Sequence, residues 1–197
     1  NTRTHDEVVR RELRIKEGDP YNVNQINRSK QRLENLNFFE KVDIKINRVE
    51  GTNKVDLVVE LKEKKTGELN LGIGYSTVDK ITSSTGIREN NLFGTGQELG
   101  FSLQKSYTGL SGEINYTKPY FMDREIDVGF DLYEYRFNKR NTLVYNQNSS
   151  GITFRANYAI SEFLNHQIRY LLSTQSVNGV DATASLSETW ASTNGPN

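Results

Sequence analysis

After Lys65 the chain becomes a succession of segments in which every second residue is apolar, with turn residues between them. Ile126, Val128, Phe130 and Leu132 alternate with Asp127, Gly129 and Asp131. Leu110, Gly112, Ile114 and Tyr116 alternate with Ser111, Glu113, Asn115 and Thr117. Ile152, Phe154, Ala156 and Tyr158 do the same against Thr153, Arg155 and Asn157. Successive side chains of a strand point to opposite faces, so each such strand has one apolar and one polar face. Strands of about ten residues repeated in this way predict a sheet with lipid on one side and water on the other.

Composition narrows the choice. The 197 residues allow one or two domains, and formal charge is balanced, with a pI near 7.0. A basic surface for nucleic acid is not indicated. A mean hydropathy of -0.69 argues against membrane-spanning helices, and no run approaches the ~18 apolar residues such a helix needs. A membrane barrel escapes that test, because half of each barrel strand is polar. Ten Tyr and nine Phe suit either the aromatic girdles of a barrel or the core of a soluble sandwich. The absence of Cys excludes disulfides and thiolate metal sites. The chain opens on Asn1-Thr2-Arg3-Thr4 without the apolar stretch of a secretory signal, so it is expected to be an internal part of a longer polypeptide.

Residues 1–65 read as a separate α+β domain. Asp6 to Ile15 carries Val8, Val9 and Leu13 on one helical face, with Thr4 as N-cap. Glu17-Gly18-Asp19-Pro20 ends it. A second helix fits Asn24 to Asn35, and Phe38-Phe39 ends that one. Val42, Ile44 and Ile46 alternate as a strand, and Val55 to Leu61 returns. Two helices over one hairpin make a thin core, and a further strand before Asn1 is expected. Phe38-Phe39 suits that core better than a binding patch. The charged run Lys62 to Lys65 reads as a solvated edge.

Residues 66–197 read as about seven strands and a polar tail. The strands are Glu68–Thr77, Ile81–Asn90, Gln97–Tyr107, Leu110–Tyr120, Glu125–Phe137, Ser149–Ala159 and Asn165–Val177. The second is weak, since Thr82 to Thr85 carry little apolar signal. Connections are short at Gly109, Met122-Asp123 and Ser161-Glu162 and longer at Asn138–Asn148, which predicts short turns at one end and longer loops at the other. Asp181 to Asn197 reads as a loop or frayed end. Seven strands do not close a typical bacterial barrel, which has an even number and at least eight. The expectation is a partial barrel that continues or assembles in some other way.

Several segments, in this order, carry a resemblance. Arg10-Arg11-Glu12 and Glu17-Gly18-Asp19 are followed by Arg32-Leu33 with Leu36, Phe38, Phe39 and Val42, and then by Val55-Asp56-Leu57, Glu63 and Thr66-Gly67. Gly72 to Thr77, Glu89 to Gln97 (ENNLFGTGQ) and Pro119-Tyr120-Phe121 come next, with Lys118 where Asn is commoner. Over roughly residues 1–170 the chain resembles the outer-membrane protein assembly factor (BamA) family, in which polypeptide-transport-associated (POTRA) domains precede a membrane barrel. The resemblance implies a last POTRA domain in the periplasm followed by the N-terminal part of an outer-membrane barrel. It implies as partners the bilayer, nascent outer-membrane β-barrel proteins and the lipoproteins of the assembly machinery. The late barrel loop motif of the family is not present.

It also points to the first barrel strand as a lateral gate, formed by Leu69, Leu71, Gly72, Ile73, Gly74 and Tyr75. Two glycines weaken packing there, and an edge with unsatisfied N–H and C=O groups can template an incoming strand. The bland alternative is that these glycines relieve crowding inside a barrel. Val42, Ile44 and Ile46 form a second candidate, a POTRA edge strand open to a partner, against the alternative of an ordinary hairpin strand. No cofactor is expected. Asn91 to Gly96 lacks the strand, helix and Lys of a nucleotide loop and reads as a tight hairpin. His5 and His166 have no ligand-like neighbours, so no metal site is expected. Asp127 and Asp131 read as solvated residues of the wet face rather than an acid pair.

The expected function is strand-templated assembly and insertion of outer-membrane β-barrel proteins, without catalysis. The alternatives are a translocator of the two-partner-secretion type, a passive pore or structural barrel, and a soluble two-domain β protein. A simple pore leaves residues 1–65 without a purpose.

Overall fold

The computed structural model describes residues 3–52, 54–138, 145–161 and 164–179. The chain divides into two compact units. One contains Asn1–Gly67 together with Asn90–Gln97, and the other contains Glu68–Glu89 and Glu98–Asn197. Residues 90–97, the end of one strand, a turn and the start of the next, which the strand pattern assigns to the barrel segment, therefore fold with the first unit.

The first unit holds helices α1 (Asp6–Arg10) and α2 (Val23–Asn35) and strands β1 (Phe39–Arg48) and β2 (Val55–Glu63). The strands pair antiparallel, from Phe39 opposite Glu63 to Arg48 opposite Val55. Val8, Leu33, Phe38, Phe39 and Val42 form the core, with Val9, Leu13, Leu36, Val59 and Leu61 packed around it. Burying each large apolar side chain contributes about 1.5–3 kcal/mol. Phe38 and Phe39 are thus core residues, edge to face with ring centroids 6.3 Å apart.

Two expectations about α1 are corrected. The helix ends at Arg10 rather than Ile15, because the following turn tightens. Glu12 N–H donates to Val9 O and Leu13 N–H to Arg10 O, both three residues back. The tightening buries the Glu12 carboxylate, where the Arg32 guanidinium from α2 meets it at 2.8 Å. Thr4 is not the N-cap. His5 takes that position without a side-chain bond, while Thr4 is buried and bonded elsewhere. The second helix begins one residue early, capped by Asn22 Oδ1 accepting from the Asn24 and Gln25 N–H groups.

Glu63 departs from the solvated reading of its charged run. Its carboxylate accepts the Arg3 N–H at 2.8 Å and the Thr4 N–H at 2.6 Å, tying the first residues to the end of β2. Its neighbour Lys62 does lie at the surface, paired with Glu40.

The second unit is one seven-stranded sheet in sequential order: β3 (Gly67–Ser76), β4 (Lys80–Leu92), β5 (Gln97–Lys105), β6 (Gly109–Lys118), β7 (Ile126–Phe137), β8 (Asn146–Ser161) and β9 (Leu164–Asn178). All seven strands expected from the alternation are present. Cross-strand partners share a face. One face carries the row Leu99, Tyr116, Phe130, Phe154 and Tyr170, and next to it Phe101, Ile114, Leu132, Ile152 and Leu172. The opposite face carries Glu98, Thr117, Gly129, Arg155 and Arg169, then Ser102, Glu113, Tyr133, Gly151 and Ser173. On that polar face Arg155 pairs with Asp131 at 2.8 Å and donates to Thr117 Oγ1 at 3.2 Å. Tyr133 covers Gly151, where a Cβ would sit 2.6 Å from its hydroxyl. Asp131 is therefore a partly buried ion-pair partner rather than a freely solvated residue of the wet face.

Loop lengths do not segregate by end as expected. Connections of a sequential antiparallel sheet alternate between its ends, so 106–108 and 138–145 leave the same end, and the first is three residues. Residues 139–144 of the longer loop, Glu162 and the tail 181–197 lie outside the described residues.

The Glu63 tie has a pH signature. Burial raises its carboxyl pKa, but the N–H groups of Thr4 and Arg3 more than reverse this, and it ionises below its usual 4.5. The stabilisation is therefore full above the unfolded value and is lost as pH falls through the lower folded value. Glu63→Gln is expected to weaken the first unit at neutral pH and to flatten its loss of stability on acidification, read from thermal unfolding of both proteins across that range.

Candidate functional site: the edge strand β3

β3 forms one edge of the seven-stranded sheet, and among the described residues its only neighbour is β4. Strand geometry sends Leu69, Leu71, Ile73 and Tyr75 to a single face. All four are exposed, Ile73 to 88%. Isolated apolar residues at a surface need no explanation, but a continuous apolar face across adjacent strands marks contact with lipid or a partner. Beside the edge lies a shallow depression of about 620 Å³, floored by Ser83 and Thr85 between Leu71, Ile73 and Leu103.

The two glycines of β3 differ. A Cβ at Gly72 would meet the Ser84 hydroxyl at 2.5 Å, the mobile tip of a short side chain. A Cβ at Gly74 would meet nothing within 4 Å. Relief of crowding therefore does not explain Gly74. What glycine brings there is a strand that holds its conformation less firmly. The chemistry open to this edge is main-chain hydrogen bonding, which needs neither a nucleophile nor a proton shuttle.

The POTRA candidates fall in three different settings. Val42 is buried in the core, Ile44 is half-buried and Ile46 is 44% exposed. Val42 is thus a packing residue, and of the three only Ile46 offers its side chain to solvent. β1 pairs with β2 alone among the described residues, so its other edge is also open to main-chain pairing. His166 faces Tyr158, its Nδ1 2.8 Å from the phenol oxygen across the β8–β9 pair. Among the described residues no three potential ligands converge on one point.

One group of residues was not foreseen. Asn91 is buried, with its Nδ2 donating to Thr4 Oγ1 at 2.9 Å and its Oδ1 accepting the Gly96 N–H at 2.7 Å. The available signal was the run Asn91 to Gly96, which predicts a tight turn but not what the turn packs against.

An α+β domain followed by strands with one apolar and one polar face is the plan of a membrane β-barrel protein with an attached α+β domain. Family comparison agrees on both parts. The POTRA description, "Surface antigen variable number repeat", matches residues 1–64, and the "Omp85 superfamily domain" matches residues 91–195. The chain belongs to the Omp85 superfamily, a bacterial outer-membrane protein with its POTRA domain in the periplasm. It is 36% identical over 168 residues to the "Outer membrane protein assembly factor BamA" of Neisseria meningitidis serogroup B, covering 83% of this chain and 21% of that protein. It is similar in fold to the crystal structure of BamA from Haemophilus ducreyi lacking POTRA domains 1-3, with a TM-score of 0.79 at 23% identity over 98% of this chain and 37% of the other. It is also similar to CdiB from Acinetobacter baumannii, with a TM-score of 0.64 at 21% identity over 91% and 37%. The chain thus spans about a fifth of the length of its Neisseria relative.

Gly74→Ala fills open space and removes backbone freedom. It is expected to firm β3 by about 0.5–1 kcal/mol. The check is slower amide exchange over residues 73–76 in the membrane-embedded protein, with β7 and β8 unchanged.

Proposed function

We propose that this chain belongs to a factor that folds and inserts β-barrel proteins into the outer membrane, and that β3 templates the incoming strand at a lateral gate. The observation that carries the reading is the combination at β3: an edge position among the described residues, four exposed apolar side chains on one face, and a glycine that packing does not require. An incoming strand satisfies the open N–H and C=O groups of this edge, while Leu69, Leu71, Ile73 and Tyr75 stay against lipid. Folding of the substrate supplies the free energy, so no nucleotide or metal is called for. The name of the Neisseria relative supports the assembly role.

The bilayer contacts the apolar face. Nascent barrel proteins are the substrates, and lipoproteins of the assembly machinery are the accessory partners. The open edge of β1, with Ile46 exposed beside it, is the proposed POTRA docking strand for a substrate or such a partner.

Single cysteines at Leu71 and Ile73, introduced into the full-length protein, test the reading by crosslinking in cells. The native segment contains no Cys. Adducts with many different nascent barrel proteins are expected. Adducts with a single secreted passenger would replace the assembly reading with a translocator, and none from correctly inserted protein would leave a pore or a structural barrel.

A further inference from the structure

The turn between β4 and β5 makes more bonds than a connection needs. Within the first unit, Asn91 binds the Thr4 hydroxyl, and His5 N–H donates to Gly94 O at 2.8 Å. Gly94 has φ 77°, and a Cβ there would lie 1.9 Å from the Arg3 carbonyl oxygen, so no side chain fits. Arg3 and Thr4 are held in turn by Glu63 at the end of β2. On the other side of the turn, the Asn90 N–H and its Nδ2 both donate to Thr66 O, at 3.3 and 3.2 Å. Thr66 is buried and directly precedes β3. The root of β3 is thus bracketed by Glu63, which precedes Thr66 by three residues, and by Asn90 across from it. Asn91 locks the bracket, because its one amide joins Thr4 to the turn's own Gly96 N–H.

The far part of β3 has no such support. Gly74 faces open space, and Ile73 and Tyr75 are exposed. We propose that Asn91 is a positioning residue for strand templating, which rests on the reading of β3 as the templating edge. It anchors the root of β3 at Thr66–Gly67, so that only the part from Leu71 onward yields to an incoming strand. The gate then opens from its far end and stays in register at its root. A one-residue slip of a strand exchanges its two faces, so a fixed root keeps Leu71 and Ile73 toward lipid while the rest of the edge moves.

The test compares amide exchange along β3 in the full-length protein in lipid nanodiscs, for the native protein, Asn91→Ala and Thr4→Val. Thr4→Val keeps the side-chain shape and leaves the Asn91–Gly96 bond intact, while it takes the hydroxyl away from both Asn91 and Glu63. In the native protein, residues 66–70 are expected to exchange more slowly than 73–76. In both variants exchange at 66–70 is expected to rise about ten-fold or more, since each loses at least one buried hydrogen bond, with β7 and β8 unchanged. Cysteine adducts with nascent barrel proteins are expected to spread from Ile73 to Leu69 in the variants, whereas a merely structural defect would lower adducts at every position. Uniform exchange along native β3, or an unchanged root in Thr4→Val, would overturn the anchor. Exchange needs no substrate, so it judges the anchor even where missing adducts in the native protein have removed the templating reading.

Discussion

A backbone amide placed in hydrocarbon has no water to bond, and each unsatisfied N–H or C=O there costs several kcal/mol. This requirement shapes the whole second unit. It forces the strands into one continuous ladder, from β3 to β9. It also makes an edge strand the most reactive feature such a sheet can have. An edge satisfied by a passing strand, rather than permanently by a neighbour, converts that cost into a driving force for assembly.

The proposed anchor holds such a strand at one end and leaves it free at the other. The first unit supplies the holding end. Its core of Val8, Leu33, Phe38, Phe39 and Val42 fixes β2, whose terminal Glu63 grips Arg3 and Thr4. The β4–β5 turn closes the circuit through Asn91 and Asn90. Charge, hydroxyl and amide groups thus do at the root of β3 what apolar packing does in the POTRA core.

Much of this was legible in the sequence, for physical reasons. A strand has a side-chain period of two, and Leu110–Tyr116, Ile126–Leu132 and Ile152–Tyr158 display it without interruption. The stretch Thr82–Thr85 shows little of it, yet β4 runs from Lys80 to Leu92, because β3 and β5 hydrogen-bond its backbone on both sides. Tertiary pairing overrides a weak local pattern. The early end of α1 was hidden because the turn that tightens it depends on Glu12 meeting Arg32, twenty residues away. The Asn91 network was hidden for the same reason. A buried Asn and a turn Asn look alike in sequence, and its partner Thr4 is 87 residues distant. Glu63 was concealed within a charged run that otherwise behaves as solvated surface.

The account stands or falls on whether β3 receives a strand through its backbone. Amide exchange of the full-length protein in a bilayer, measured with and without an unfolded barrel substrate, addresses this directly. Templating predicts that substrate slows exchange over residues 71–76 and leaves residues 97–105 in the paired interior unchanged. Protection that appears anywhere but on β3, or not at all while substrate is bound, would contradict it.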